Sequence, residues 1–327
     1  MNRFFLILAL LFCIIFAFGQ KNVKKYYEYV NKAELAICDF KYEKASHYYE
    51  KAFHAITPFC NDLFNATILN VKFTKRYDLA LNYSRQLLQK DFEIGWVYNL
   101  IDPKDSLIAL KFKSLEDTVK SQTNKNLKLI LEEMLEEDQK WRHGEIDMCK
   151  IIEVDKNNFL KLVSLKKEFG AINEDKIGCN FNYKTLLIHF AKNSYSPREL
   201  LLSSVKNGDF YIKDYIQLYD LYFEMIGEPT LYGRSWGQIY SVKNVLIINY
   251  PDDIEIVNSE RKKILLDETW DEYVKKIKYQ FQFNNFQLYS KVENWMSEEE
   301  INSLIKEIDE EHQKGIYKRE YVIREKK

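Results

Sequence analysis

The chain has 327 residues, with 48 Lys and Arg against 49 Asp and Glu, which gives a formal net charge of −1 at pH 7. Apolar residues (46%) and charged residues (30%) argue against wholesale disorder, and without a basic excess nucleic-acid binding has no electrostatic support. Glycine and proline are scarce, with 10 and 5 residues, which disfavours turn-rich β-sandwiches and folds built on glycine-rich nucleotide loops. The composition therefore predicts a mainly α fold of helices joined by short polar connections.

The amino terminus has the pattern of a secretory signal peptide. Arg3 precedes an unbroken apolar run over 4–18, and the small residues Ala17 and Gly19 stand at positions −3 and −1 before Gln20. The apolar run is shorter than the roughly 20 residues that span a bilayer. We therefore expect cleavage after Gly19, export to the periplasm or the medium, and no transmembrane segment in the mature chain.

Residues 26–100 contain an internal repeat with an offset of 35 positions. Tyr42-Glu-Lys-Ala45 recurs as Tyr77-Asp-Leu-Ala80, so small and aromatic residues return where two antiparallel helices must approach closely. The period is close to the 34 residues of tetratricopeptide repeats, and the stretch resembles that family. Such arrays usually bind a protein or peptide partner on a concave surface. The alternative is an unspecialised array of helical hairpins.

The segment 124–142 is predicted to be one amphipathic helix with a carboxylate on its apolar stripe. The apolar members of that stripe are Leu127, Leu131, Met134 and Trp141. Asp138 lies on the same stripe, and a buried carboxylate needs a partner, which Arg142 can provide from position i+4. The pair either lines a pocket, with Gln139 nearby, or fixes how the helix docks.

Further helices are predicted at 157–169, 181–193, 197–206, 211–226, 251 onward and 267–280. His189 falls on the polar side of its helix, so it either faces water or lines a cleft. Asp220 belongs to a polar stripe with Lys213, which is by default solvated. A strand is predicted within 238–250.

Two local patterns are weaker. Gly233-Arg-Ser-Trp-Gly237 matches the G-x-S-x-G motif of serine hydrolases, but no strand precedes it, so we interpret it as a glycine loop. Export leaves four cysteines in the mature chain: Cys38, Cys60, Cys149 and Cys179. We expect buried free thiols, and the only disulfide considered is Cys149–Cys179. No His/Cys spacing suits zinc, so no metal and no cofactor are expected.

About residues 125–280, the chain resembles a bacterial domain family of unknown function. The matching motifs, in order, are Asp138-Gln139-x-x-Arg142, Leu186-Leu-Ile-His189, Leu218-Tyr-Asp220, Tyr232-Gly233 and Pro251-Asp-Asp followed by Arg261. The chain differs from the family at Leu221 and at Arg234-Ser235. The resemblance implies a shared domain and a shared set of residues, but no known reaction.

These observations predict four segments. They are a signal peptide (1–19), tetratricopeptide-like repeats (20–120), a helical domain with a small β element (121–285) and a charged helical tail (286–327). The tail opens with a capping box at Ser297, and its last residues, 314–327, are expected to be solvated.

The favoured function is an exported binding module that takes a protein or peptide partner through residues 26–100. The alternative is an extracytoplasmic enzyme of the acid–base hydrolase type, and a third possibility is a structural envelope component. The candidate catalytic residues are Asp138, Arg142, His189 and Asp220. The candidate binding residues are Gln139, Tyr232, Gly233 and Arg261. Convergence of Asp138, His189 and Tyr232 in one pocket would favour the enzyme.

Overall fold

The computed structural model describes residues 22–142, 147–193, 195–234, 239–242, 244–289 and 296–324. Within these ranges the protein is mainly α-helical with one small antiparallel sheet, as the sequence predicts. The signal-peptide segment 1–19 lies outside the described residues. No described helix is both long enough and apolar enough to cross a membrane.

The front of the chain consists of four helices in two hairpins. They are α1 (22–38), α2 (Tyr42–Phe53), α3 (Cys60–Ile68, continued by a π-helical turn over Leu69–Phe73) and α4 (Tyr77–Gln89). In α2 the buried face includes Ala45 and Tyr49, and in α4 it includes Ala80 and Ser84, which are the positions 35 residues later. Both alanines are fully buried. The helical hairpins are therefore present, while their membership of the tetratricopeptide family stays a prediction.

The middle of the chain forms α5 (Ser106–Thr118), α6 (Lys125–Lys140) and α7 (Met148–Phe169), after short 3-10 turns over Gly95–Leu100 and Pro103–Asp105. The α6 stripe is buried as predicted, Asp138 included. The prediction that the next helix begins at 157 is wrong. It begins at Met148 because the Asp147 side chain caps it, accepting hydrogen bonds from the backbone N–H groups of Cys149 and Lys150.

Four helices follow: α8 (Glu174–Ile177), α9 (Tyr183–Lys192), α10 (Pro197–Asn207) and α11 (Ile212–Met225). Helix α9 packs against α6, α7 and α11. The apolar core is continuous from Val23 in α1 to Leu288, so the front hairpins and these helices share one interior.

The last part of the chain contains a three-stranded sheet and three helices. The strands are β1 (Ile239–Val242), β2 (Val245–Asn249) and β3 (Arg319–Ile323), and the helices are α12 (Ile254–Lys263), α13 (Trp270–Phe283) and α14 (Glu298–Gln313). The β1–β2 hairpin lies where the sequence predicts a strand, and the Ser297 capping box is present. The expectation of a solvated tail is wrong for β3, which pairs with β2 and places Tyr321 beside Ile247. Apolar burial against β2 and α14 outweighs the charged composition of this segment.

The disulfide prediction is also wrong. Cys60, at the start of α3, is bonded to Cys179, which lies 119 positions later in the segment before α9. Cys149 is a free thiol on an exposed surface, and Cys38 is free and buried. The front hairpins and the helices behind them are thus linked covalently as well as by packing.

Candidate functional site

The structure divides the eight predicted site residues into two groups. The first, which we call the aspartate–histidine group, contains Asp138, Gln139, Arg142 and His189, together with Asp155 and Asn193. The second contains Asp220, Tyr232, Gly233 and Arg261. Tyr232 packs against the rings of Tyr215 and Tyr219, so it belongs to a different environment from Asp138 and His189.

In the aspartate–histidine group, the buried carboxylate of Asp138 is surrounded by donors. Nδ1 of His189 lies 2.9 and 2.8 Å from its two oxygens, Gln139 Nε2 donates at 2.6 Å, and Arg142 Nη2 donates at 3.1 Å. A carboxylate only accepts hydrogen bonds, so Nδ1 carries the proton. Of the two predicted alternatives for His189, the structure supports the inward one, with 15% of the side chain exposed.

Asp155 on α7 is a member of this group that sequence reasoning missed. Its buried carboxylate accepts a hydrogen bond from Arg142 at 2.5 Å and another from the Asn193 side-chain amide. Asp155 lies on the stripe formed by Ile151, Asn158 and Leu162. This is the same signal that identified Asp138, and it was lost because the helix was predicted to begin too late.

The two carboxylates of the group have opposite pKa shifts. Burial alone would raise the pKa of Asp138, but hydrogen bonds from His189 and Arg142 outweigh it and lower this pKa to about 2. Burial raises the pKa of Asp155, and the nearby charge of Asp138 adds to that effect, although Arg142 opposes it. One guanidinium therefore serves two buried acids.

Among the described residues, Asp138, Asp155 and His189 are also the one group arranged to hold a metal ion, with one ligand atom from each lying within 4.8 Å of the others. Two carboxylates and an imidazole are a donor set that zinc or manganese uses. However, Arg142 already places a cation between both carboxylates. The geometry therefore favours an internally neutralised network, and the expectation of no metal stays a prediction.

Asp220 holds a loop and is not solvated, so the prediction of a water-facing stripe is wrong here. Its buried carboxylate accepts hydrogen bonds from the backbone N–H groups of Leu231, Tyr232 and Arg234, at 3.0, 2.9 and 2.6 Å. Burial raises the pKa of Asp220 to about 6, against the effect of these donors. Gly233 allows the turn because its φ is +66° and a Cβ would come within 2.7 Å of Trp270.

Arg261 anchors this loop to the last helices. It is fully buried, and its Nε donates to the Tyr232 carbonyl at 2.9 Å while Nη1 donates to the Thr269 carbonyl at 3.1 Å. Nη1 also lies 3.4 Å from a Glu268 carboxylate oxygen. Burial lowers the pKa of Arg261 to about 10 despite the Glu268 charge.

Glu268 and Arg261 belong to a larger set that we call the buried charge network. Its members are Glu34, Lys213, Arg234, Arg261, Glu268 and Lys276. Lys276 bridges Glu34 and Glu268 at 2.7 Å each, and Lys213 binds Glu34. The network joins α1 of the front hairpins to α11 and α13. Such buried ion pairs contribute little net stability against apolar packing, which makes a functional role worth testing.

The network borders a polar cleft with a volume of about 440 Å³. Its polar wall includes Asn61, Glu174, Tyr211, Lys213, Asp214 and Arg234. Asn61 is on α3 and Lys213 is on α11, so the cleft lies between the front hairpins and the helices behind them. An adjoining cavity of about 180 Å³ shares Glu174, Tyr211 and Asp214 with it.

Sequence reasoning did not select the residues of this cleft as a site. Two signals pointed toward it: Lys213 is a cation near the start of a helix rich in aromatic residues, and Arg234 directly follows Gly233. Ser235 of the G-x-S-x-G match lies outside the described residues.

No family model matches the sequence, and no curated protein or solved structure matches it either. The resemblances to tetratricopeptide repeats and to the bacterial domain family therefore stay predictions. The geometry of the described residues carries the functional interpretation.

Proposed function

We propose that this protein is an exported binding protein whose ligand occupies the polar cleft between the front hairpins and the helices behind them. The observation that carries the proposal is that two cations buried on the cleft wall, Lys213 and Arg234, belong to a charge network with little reason to exist for stability alone. The cleft volume is within the range of small-ligand sites. The front hairpins contribute Asn61 to the wall, in keeping with a binding role for that region.

Export is supported by two independent features. The first is the signal-peptide pattern that ends before Gln20. The second is the Cys60–Cys179 disulfide, because disulfides persist in oxidising compartments and are rare in the cytosol. Mass spectrometry of the protein recovered after export should show a chain that begins at Gln20. A full-length, membrane-retained product would contradict export by this route.

A thermal-shift screen tests the binding proposal. The mature protein is melted with a set of amino acids, short peptides, sugars, organic acids and nucleotides, and at least one compound is expected to raise the melting temperature. Gln287→Trp places a large ring on the cleft wall from an exposed position and should abolish that shift. Gln122→Trp, at an exposed position that does not line the cleft, is the matched control and should keep it. Equal shifts in both variants would contradict the proposal.

An extracytoplasmic enzyme is the second candidate, and the Asp138–His189 contact favours it. A buried carboxylate that holds Nδ1 fixes the imidazole tautomer and leaves Nε2 as a general base, the arrangement seen in catalytic triads. The catalytic set would be Asp138, Arg142, His189 and Asp155, without Asp220. A panel of ester, peptide and glycoside substrates tests it: activity that His189→Gln abolishes while the fold is retained supports an enzyme, and no turnover contradicts it.

A further inference from the structure

We propose that the ligand of the cleft is a small zwitterion, a free amino acid or a short peptide. Its carboxylate binds at Lys213 and Arg234, and its ammonium group binds at Glu174 and Asp214. This inference rests on the proposed function, because it names the class of ligand for the same cleft.

Arg234 supplies the first step. The residue is 6% exposed, and its Nη2 pairs with Glu268 at 3.2 Å. Its Nε is buried without a hydrogen-bond partner among the described residues. A buried donor without a partner is costly, and a ligand carboxylate is the acceptor that a guanidinium binds best, often with two parallel hydrogen bonds.

The orientation of Arg234 suits this role. The guanidinium carbon lies 4.1 Å from the centre of the Tyr273 ring, and stacking of this kind holds the plane of the group. Lys213 lines the same cleft and is held by Glu34. A carboxylate that enters here meets two cations whose positions are already fixed, so little ordering is needed on binding.

The acids of the cleft supply the second step. Asp214 is 30% exposed and pairs with Lys184 at 2.5 Å, and Glu174 accepts a hydrogen bond from the Cys60 backbone N–H at 2.6 Å. Each carboxylate has further lone pairs to offer. Burial raises the pKa of Glu174 to about 7, so a ligand cation nearby would favour its charged form.

The balance and the size of the cleft exclude other classes. Two cations and two acids on one wall disfavour nucleotides and other polyanions, which would meet the charges of Glu174 and Asp214. The volume of about 440 Å³ holds an amino acid or a few residues of peptide. The adjoining cavity is lined by Phe181, Leu187 and Phe210, which suits an apolar side chain of the ligand.

Native mass spectrometry of the mature protein tests the inference with four probes. They are an equimolar mixture of the twenty amino acids and a random tripeptide library in free, carboxyl-amidated and amino-acetylated forms. We expect one-to-one complexes with the amino acids or the free tripeptides, and the masses tell which source is bound. Because each cap removes one charge-assisted hydrogen-bonding group, both capped libraries should bind about ten- to a hundredfold more weakly.

Two variants locate the ends of the ligand. Arg234→Met should lose the difference between free and amidated tripeptides, and Asp214→Asn should lose much of the difference between free and acetylated ones. Asp214 is partly exposed, so its variant should fold even if Arg234→Met does not. Asp252→Asn removes an exposed acid outside the cleft and should behave as wild type.

The outcomes separate this inference from the proposed function. Capped and free tripeptides that bind equally well would overturn the zwitterion inference, as would a lack of binding by every zwitterionic probe. If another compound then shifts the melting temperature and Gln287→Trp abolishes that shift, the binding function stands without the inference. If no compound does so, both fall.

Discussion

Asp138 and Asp155 share a single guanidinium, and this arrangement sets what each residue contributes. Arg142 binds both carboxylates, while His189 binds only Asp138 and Asn193 binds only Asp155. Loss of the arginine strands two buried acids, whereas loss of Asp138 leaves Arg142 with a partner. The two substitutions are therefore not equivalent.

We expect Arg142→Met to lower the free energy of unfolding by about 3–5 kcal/mol. Asp138→Asn should cost less, about 1–3 kcal/mol, because Arg142 keeps Asp155. The double variant should be less destabilised than the sum of the two, since both changes act on one network. Urea denaturation measures all three, and wild-type stability throughout would show that Asp138 is neither buried nor paired.

Asp62 provides a pH-dependent test. Burial raises its pKa to about 6, although Lys213 and the hydroxyl donors Tyr26 and Tyr211 oppose the shift. From about pH 4 to 6 the folded state keeps a proton that the unfolded state has lost, so this group's contribution to stability falls as pH rises. The stability of wild type relative to Asp62→Asn should fall by on the order of 1–3 kcal/mol from pH 4 to 7. Urea denaturation at several pH values measures it. Asp252→Asn is the control, and a constant difference for Asp62→Asn would contradict the burial of Asp62.

At the residue level, the sequence reveals a buried carboxylate only where helical periodicity is assigned correctly. Asp138 was found because its stripe is long and strongly apolar. Asp155 was missed because the charged start of α7 hid the same periodicity. The role of Asp220 could not be predicted, because its partners are backbone groups of a loop that folds back onto it.

At the level of elements, local patterns predict the helices well and the tertiary pairings poorly. The capping box at Ser297 and the apolar stripe of α6 depend on neighbours within one turn or a few turns, so the sequence displays them. The β2–β3 pairing joins segments about 70 positions apart, and the Cys60–Cys179 bond joins segments 119 positions apart. Nothing near either segment indicates its partner.

The front hairpins can be tested at their equivalent alanines. Ala45→Trp and Ala80→Trp each insert a large ring where the chain is fully buried, and each should cost about 1–3 kcal/mol through overpacking. Lys44→Trp, at the adjacent exposed position of α2, is the matched control and should change little. Thermal denaturation measures the three. Unchanged melting temperatures for both alanine variants would show that the repeat is an accident of composition.

The disulfide constrains a long loop of the unfolded chain. Replacing Cys60 and Cys179 together by serine should lower the free energy of unfolding by about 2–5 kcal/mol, because the unfolded state regains the entropy of an open loop. Cys149→Ser removes an exposed free thiol and is the control. Chemical denaturation with and without reductant gives the comparison. Equal stability of the double variant and the wild type would contradict the bond.

At the level of the whole molecule, the candidate cleft depends on the union of the two halves. The disulfide, the continuous core and the contacts of Glu34 with Lys213 and Lys276 all cross between the front hairpins and the later helices. Asn61 and Lys213 line one cleft only because these contacts hold. The sequence predicts the two halves separately, and for that reason it could not predict a site between them.

The central claim is that ligand binding depends on the cleft and not on the aspartate–histidine group. One native mass spectrometry experiment compares wild type, Gln287→Trp and Asp138→Asn with the free tripeptide library and the amino-acid mixture. We predict that Asp138→Asn binds as wild type does, while Gln287→Trp loses the complexes. Binding that survives in Gln287→Trp and disappears in Asp138→Asn would contradict the claim and place the functional centre at Asp138 and His189.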